Sequence, residues 1–239
     1  MKPFQFKEFK VQQEKSAMKI GTDAVLLGAW CTVNNYPDTV LDVGAGTGVI
    51  ALMLAQRTDA MTIDAVEIDE NAYEECVDNF EQSPWGDRLF CYYASFQEFV
   101  EEIQEEEETF DLIVSNPPFY TDTYQTDDEA RNKARFTTSL SFENLLSGVV
   151  SILSPKGKFA TIIPYKSYDD FIAIASQQGL QLNRLCEVQG NATSEITRCL
   201  LEFEFESSEL KKEKLIIEKE RHQYTEGYIA LTKDFYLKM

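Results

Sequence analysis

A glycine-rich turn between a buried strand and a helix is the feature that most constrains the fold. The run Val40–Val43 is short and apolar, as expected of a strand buried on both faces. It continues directly into Gly44-Ala45-Gly46-Thr47-Gly48 and then into a helical pattern over Val49–Arg57. Glycines accept positive φ angles and let backbone N–H groups approach a ligand closely. This order predicts a βα unit of an open α/β sheet, with a binding loop at the carboxyl end of the strand.

The rest of the chain repeats the pattern of a strand followed by a helix. Four more apolar strands are predicted at 62–69, 89–94, 110–114 and 159–163, the last of them after a turn at 155–158. Two further strands at 180–188 and 198–206 close the sheet, and the second has the alternation of a half-exposed antiparallel strand. The sequence therefore predicts an α/β, Rossmann-like fold. Its sheet has seven mostly parallel strands, an antiparallel last strand and helices on both faces.

We expect a single domain spanning residues 1–239. Residues 1–35 are expected to form an N-terminal arm and a first helix that Thr22 or Asp23 caps. Residues 36–206 form the Rossmann-like core, and residues 207–239 supply a short edge strand at 215–218 and a C-terminal helix. No window approaches 18 apolar residues and the N-terminus has no signal-peptide pattern. We therefore expect a cytoplasmic monomer that has no membrane partner.

The composition excludes several kinds of site. The chain has one histidine, His222, in a charged run typical of a solvated surface, which excludes a His-rich metal site. Its five cysteines are scattered and include no Cys-x-x-Cys pair, so we expect reduced thiols, no zinc site and no other metal. The net charge of −19 argues against a broadly basic surface for nucleic acid and allows only a local basic patch.

Acidic residues near the glycine turn indicate the type of ligand. Asp42 precedes the turn, and an acid there is unsuited to a pyrophosphate and favours a cationic ligand. Glu67 ends the next strand about 20 residues further on, where an acid can bind both hydroxyls of a ribose. S-adenosyl-L-methionine combines a ribose with an ammonium and a sulfonium, and we predict it as the cofactor. Further contacts are predicted at Gly44, Gly46, Gly48, Ile68, Ser95, Phe96 and Asn116. Helix capping is an equally good interpretation of Ser95.

A second loop carries the predicted chemistry. Asn116-Pro117-Pro118-Phe119 follows an apolar strand, and the two prolines end that strand and stiffen the loop. The amide oxygen of Asn116 and the carbonyl of Pro117 can accept hydrogen bonds from the two N–H groups of an exocyclic amine. The lone pair of the amine nitrogen is then available to accept a methyl group. Phe119 can stack on a base, which is worth about 1–3 kcal/mol.

These motifs together resemble class I S-adenosylmethionine-dependent methyltransferases. The segment 42–48 matches their methionine-binding loop, Glu67 their ribose acid, and 116–119 the loop of amino-group methylases. Blocks at 18–30, 134–137 and 231–237 resemble the bacterial tRNA1(Val) adenine-37 N6-methyltransferase family. The chain departs from that family at Phe136, where the family tends to have histidine.

The resemblance implies methyl transfer to the N6 amine of adenine 37 in the anticodon stem-loop of a valine tRNA. The catalytic residues would be Asn116, Pro117, Pro118 and Phe119. The stretch 120–139 would close over the RNA, with Tyr120 and Arg135 as substrate contacts.

Other functions use the same loop. The substrate could be another adenine in RNA or DNA, or the side-chain amide of a protein glutamine. Enzymes of the last class typically have Asn-Pro-Pro-Tyr, so Phe119 favours a base. A module that binds the cofactor without catalysis is disfavoured because Asn116 and the glycines are intact.

Overall fold

Strands and helices alternate along most of the described chain. The computed structural model describes residues 2–117 and 140–238. The strands are β1 (Phe4–Gln5), β2 (Lys10–Val11), β3 (Thr39–Val43), β4 (Thr62–Glu67), β5 (Leu89–Tyr93), β6 (Phe110–Ser115), β7 (Leu153–Pro164), β8 (Gln181–Asn191), β9 (Ile196–Glu204), β10 (Lys211–Glu220) and β11 (Gln223–Tyr224). The helices are α1 (Thr22–Trp30), α2 (Val49–Arg57), α3 (Glu70–Glu81), α4 (Phe96–Glu105), α5 (Phe142–Ile152), α6 (Tyr168–Gln177) and α7 (Glu226–Thr232). A 3₁₀ turn, Tyr165–Ser167, precedes α6.

In the described part of the chain, nine strands form one sheet in the order β11-β10-β8-β9-β7-β6-β3-β4-β5. Strands β5, β4, β3, β6 and β7 are parallel, and β9 lies antiparallel between β7 and β8. The seven predicted core strands are β3 to β9, and β9 is the antiparallel last strand. The α/β fold is therefore confirmed. The sheet is larger than predicted because β10 and β11 extend it beyond β8.

Two local predictions are wrong. The expected turn at 155–158 lies inside β7, which bulges there, so that Phe110 pairs with Leu153 while Leu112 pairs with Lys158. The expected short edge strand at 215–218 is the middle of the ten-residue β10, which pairs in parallel with β8 from Lys211 onward. Exposed lysines at the start of β10 hide its strand character in the sequence.

Two hydrophobic clusters cover the faces of the sheet. Along β3 the side chain of Val40 belongs to one cluster, and those of Leu41 and Val43 belong to the other. The first cluster includes residues of α1, α2, α3 and α7, and the second includes residues of α4, α5 and α6. Both faces of the parallel strands are thus buried, and the carboxyl edge remains for a site.

The N-terminal arm packs against the C-terminal end of the chain. Strands β1 and β2 form a hairpin, and the ring of Phe6 stacks on the rings of Phe9 and Tyr236. The predicted cap of α1 is wrong, because the helix begins after Gly21 without a side-chain cap. Asp23 instead forms an ion pair with Arg198 at 2.8 Å.

Across the described residues, no helix combines the length and the apolar character that crossing a bilayer requires.

Candidate active site

The carboxyl ends of β3, β4, β5 and β6 meet at one edge of the sheet. Val43 pairs with Val66 on one side and with Ser115 on the other, and Glu67 pairs with Tyr93. The residues that follow these strands therefore lie side by side along the edge. The predicted residues brought there are Gly44 after β3, Ile68 after β4, Ser95 after β5 and Asn116 after β6.

The glycine turn has a left-handed backbone at all three glycines. The φ angles are 72° at Gly44, 57° at Gly46 and 76° at Gly48. A Cβ atom at Gly44 or Gly46 would meet no described atom within 4 Å, so these two positions face space that the described residues leave open. A Cβ atom at Gly48 would lie 2.5 Å from the ring of Phe80. Gly44 and Gly46 thus shape a cradle for a ligand, whereas Gly48 allows α2 to approach α3.

We expect Gly48→Ala to lower the free energy of unfolding by about 2–4 kcal/mol, from the left-handed backbone and the clash together. Gly179→Ala is the matched control, because Gly179 has a φ of 86° with open space around its Cα. It should cost only the backbone strain, about 1 kcal/mol. Urea unfolding of both variants measures the difference, and equal losses would contradict the packing role of Gly48.

Glu67 joins β4 to the glycine turn. Its side chain is only 9% exposed. One carboxylate oxygen accepts the N–H of Gly46 at 2.8 Å, and the other accepts the N–H groups of Ile68 and Asp69 at 2.8 and 2.9 Å. An ionised carboxylate has about four acceptor sites, so acceptor capacity remains for a hydroxyl group. Glu67 therefore stabilises the turn through a hydrogen bond and is also a candidate ligand of the ribose.

Asp42 lies beneath the glycine turn rather than on its open side. It is completely buried, and one oxygen accepts the N–H of Ala51 in the first turn of α2 at 3.1 Å. The other oxygen, Oδ1, has no hydrogen-bond partner among the described residues. Burial raises the pKa of Asp42 to about 7, and the nearby charge of Glu67 adds to this while the bond from Ala51 opposes it. A cation above the turn would compensate the ionised form.

The raised pKa of Asp42 makes the stability of the folded chain depend on pH. Because the pKa in the folded chain is about 7 and the ordinary value is 3.8, the native state holds an extra proton between these values. The contribution of this proton to the free energy of unfolding is complete below about pH 4 and is lost as the pH rises toward 7.

We expect cofactor binding at pH 7 to release up to about half a proton through Asp42, because a bound cation favours the ionised carboxyl. Asp42→Asn should abolish this component. Asp64→Asn is the control, since burial also raises the pKa of Asp64 to about 7. Asp64 lies in the middle of β4, away from the turn. Calorimetry in buffers of different ionisation enthalpy counts the protons, and equal release by wild type and Asp42→Asn would disprove the coupling.

Two hydroxyl groups fix the end of β6. The buried Ser115 donates from its Oγ to the carbonyl of Val43 on β3 at 2.9 Å. The buried Thr161 donates from its Oγ1 to the carbonyl of Ser115 at 2.8 Å. Asn116 follows at once and is partly exposed, whereas Pro117 is buried. The backbone that leads into Asn116 is therefore held beside the strand that leads into the glycine turn.

Ile68, Ser95 and Phe96 have different surroundings. Ile68 is 45% exposed and offers an apolar surface beside Glu67. The hydroxyl of Ser95 accepts the N–H of Glu98, and the Glu98 carboxylate accepts in turn from Ser95, which is a complete capping box of α4. The Phe96 ring is buried in the core. A Cβ atom at Gly148 of α5 would lie only 2.5 Å from this ring, so the ring packs closely on that glycine. The geometry thus gives Ser95 the capping role and Phe96 a packing role.

Four of the predicted residues, Pro118, Phe119, Tyr120 and Arg135, lie outside the described residues, as does Phe136. Within 2–117 and 140–238, no group of three or more His, Cys, Asp or Glu side chains could hold a metal ion.

The residues at this edge fit S-adenosylmethionine. Among the described residues the Oδ1 of Asp42 has no partner and can supply negative charge to a cationic ligand, and Gly44 and Gly46 leave open space at the turn. Glu67 retains acceptor capacity for ribose hydroxyls, and Ile68 supplies apolar surface for a ring.

Sequence reasoning missed Ser115, Thr161 and Asn79 as parts of this site. Asn79 of α3 donates to the carbonyl of Thr47 in the glycine turn at 2.9 Å. The only sequence signal for Ser115 and Thr161 is a small hydroxyl residue in an otherwise apolar strand, and Asn79 has a similar signal on the apolar side of a helix.

Comparisons with known proteins agree with this geometry. The sequence model of the family described as "Methyltransferase small domain" matches residues 16–163. A solved structure described as a predicted O-methyltransferase from Agrobacterium tumefaciens has a TM-score of 0.68 and 18% identity, and it covers 89% of this chain and 96% of that one. This likeness confirms the class I methyltransferase fold.

Two curated relatives narrow the family. Both bear the name tRNA1(Val) (adenine(37)-N6)-methyltransferase. The protein from Christiangramia forsetii is 52% identical over 237 residues, which are 99% of this chain and 98% of the relative. The protein from Flavobacterium psychrophilum is 53% identical over 236 residues, covering 99% and 100%. The chain therefore belongs to the methyltransferase small domain family and to the tRNA1(Val) (adenine(37)-N6)-methyltransferase family.

Proposed function

We propose that this enzyme transfers the methyl group of S-adenosylmethionine to the N6 amine of adenine 37 in the anticodon stem-loop of a valine tRNA. As a member of these families, the chain is an S-adenosylmethionine-dependent methyltransferase. The observation that carries the proposal is the position of Asn116, one residue beyond the hydrogen bond that ties Ser115 to Val43. This position supports Asn116 as the residue that accepts a hydrogen bond from the target amine, directly beside the cofactor cradle.

The cofactor site in this proposal consists of Asp42, Gly44, Gly46, Gly48, Glu67, Ile68, Ser95, Phe96 and Asn116. Bound S-adenosylmethionine supplies an electrophilic methyl group. Glu67 holds ribose hydroxyls, Gly44 and Gly46 allow close approach of the ligand, and the carboxyl of Asp42 favours its positive charge. For Ser95 and Phe96 the role is indirect, because their contacts fix the start of α4 at the edge of the cradle.

Asn116 and Pro117 align the target amine. The amide oxygen of Asn116 and the carbonyl of Pro117 accept hydrogen bonds from its two N–H groups and favour a pyramidal nitrogen. Asn116 is partly exposed, which supports access of an amine to its side chain. Alignment and electrostatics then provide the catalysis, and no covalent intermediate on the protein is needed.

The remaining assignments complete the proposal. Pro118 stiffens the loop, Phe119 stacks on the base, and Tyr120 and Arg135 contact the RNA. The target adenine must be unstacked, at a cost of a few kcal/mol that a single-stranded anticodon loop reduces. The enzyme acts as a cytoplasmic monomer, and its whole chain is one domain, which the packing of the arm on Tyr236 supports.

A radiolabelled methyl-transfer assay tests the proposal. Purified protein is incubated with labelled S-adenosylmethionine and total bacterial tRNA that lacks the modification, followed by nucleoside analysis of isolated tRNAs. We expect N6-methyladenosine at position 37 of one valine tRNA. Label in another adenine or in a protein glutamine would overturn the substrate assignment while retaining the cofactor site. No transfer to any acceptor would contradict the catalytic assignment.

A further inference from the structure

One buried amide connects the N-terminal arm to the glycine turn. Asn79, in the last part of α3, is 1% exposed and makes three hydrogen bonds. Its Oδ1 accepts the N–H of Gln12 at 2.7 Å, and its Nδ2 donates to the carbonyl of Gln12 at 3.0 Å. The same Nδ2 donates to the carbonyl of Thr47 at 2.9 Å. Both protons of the amide group are therefore used on two segments that are far apart in sequence.

The arm has a second anchor one helical turn earlier on α3. The buried carboxylate of Glu75 accepts the N–H groups of Lys15 and Ser16 at 2.9 and 2.8 Å, as well as the Ser16 hydroxyl. Burial by itself would raise the pKa of Glu75, but these hydrogen bonds outweigh it and lower the pKa. Glu75 makes none of these bonds to the glycine turn, so the two anchors differ in what they hold.

The backbone of the turn depends on few side chains. Gly44 and Ala45 donate to the carbonyl of Val66 at 2.9 and 3.2 Å. In the part of the chain that the structure describes, side-chain hydrogen bonds to the turn 44–48 come from Glu67, at the Gly46 N–H, and from Asn79, at the Thr47 carbonyl. Glu67 thus holds the cradle from β4, and Asn79 holds it from α3.

We propose that Asn79 is a positioning residue for the cofactor, which keeps the glycine turn in its binding conformation through its hydrogen bond to the Thr47 carbonyl. The Thr47 carbonyl lies between Gly46, which lines the cradle, and Gly48, which packs on α3. Without the donor from Asn79, this buried carbonyl loses its partner and the turn gains freedom next to the cradle. The inference rests on the proposed cofactor site and does not depend on the identity of the RNA.

Asn79→Asp is the most informative substitution. It preserves the shape and an acceptor for the Gln12 N–H, but it places an oxygen where the donor faces the carbonyls of Gln12 and Thr47. We expect the Kd and the KM for S-adenosylmethionine to rise about tenfold, with kcat at saturating cofactor within about twofold of wild type. If this variant does not fold, Asn79→Ala removes the donor without adding charge and is expected to change the same constants.

Glu75→Gln is the matched control, because it weakens the other anchor of the arm and leaves Asn79 and Thr47 in place. We expect a lower melting temperature and a cofactor Kd within about twofold of wild type. Calorimetric titration with S-adenosylmethionine alone gives the Kd, so the comparison of Kd values needs no RNA. The KM and kcat are measured by methyl transfer to tRNA. An unchanged Kd in the Asn79 variant, or an equal rise in Glu75→Gln, would overturn the inference while the proposed function stands. Loss of methyl transfer to tRNA in the wild type would instead affect the proposed function alone.

Discussion

Replacing Asn116 by alanine should lower the rate of methyl transfer about a thousandfold while the affinity for S-adenosylmethionine changes by less than about threefold. Removal of one preorganised hydrogen-bonding group from an active site typically costs a factor of about 10²–10³ in kcat. The upper value is expected here because Ser115 and Thr161 hold the backbone before Asn116 without help from its side chain. The acceptor is thus lost while the backbone that precedes it stays in place. Single-turnover methyl transfer to tRNA measures the rate.

Asn116→Asp separates the acceptor role from a structural role. The aspartate keeps an oxygen at the same distance along the side chain and should retain more activity than the alanine variant. Calorimetry with the cofactor completes the experiment. A tenfold or greater loss of cofactor affinity in Asn116→Ala, or equal rates for the alanine and aspartate variants, would contradict the assigned role.

Glu67→Ala should raise the Kd for S-adenosylmethionine about a hundredfold. The carboxylate accepts three backbone N–H groups, from Gly46, Ile68 and Asp69, and is the candidate partner of the ribose hydroxyls. Hydrogen bonds to a charged group are worth about 1.5–3 kcal/mol each, so the loss of one such bond to the ligand and the release of the turn together account for this change. Calorimetric titration gives the Kd directly.

Asp69→Ala provides the control at the same edge of the sheet. Asp69 caps α3 by accepting the N–H of Ala72 at 2.9 Å. Its loss should cost about 1 kcal/mol of stability and leave the Kd for the cofactor within about threefold. A similar rise of the Kd in both variants would show that the effect of Glu67→Ala comes from general loosening of the edge.

Local sequence patterns predicted the elements that build the site. The strand β3, the glycine turn and the helix α2 follow one another without interruption, so short-range patterns suffice to find them. The two prolines after β6 mark the loop in the same way. Parallel strands with helical connections then bring these loops to one edge, which is why Asn116 and Glu67 were expected near the glycines. The family resemblance and the α/β fold were also predictable and are confirmed.

Contacts between distant segments decided what the same residues do. The three glycines share one sequence pattern, yet only Gly48 packs against Phe80, because α3 crosses close to the start of α2. The burial of Phe96 likewise depends on how α4 and α5 pack, whereas the capping box of Ser95 is a local contact with Glu98.

The sequence by itself determined the order of the core strands and helices, the glycine turn and the proline-containing loop after β6, since each depends on neighbouring residues. Only the tertiary structure decided that Asp42 lies buried beneath the turn with a raised pKa, and that β10 pairs in parallel with β8 from Lys211 to Glu218. It also decided that Asn79 joins Gln12 to Thr47. The physical reason is that burial and hydrogen-bond partners come from chain segments tens of residues apart, which no local periodicity encodes.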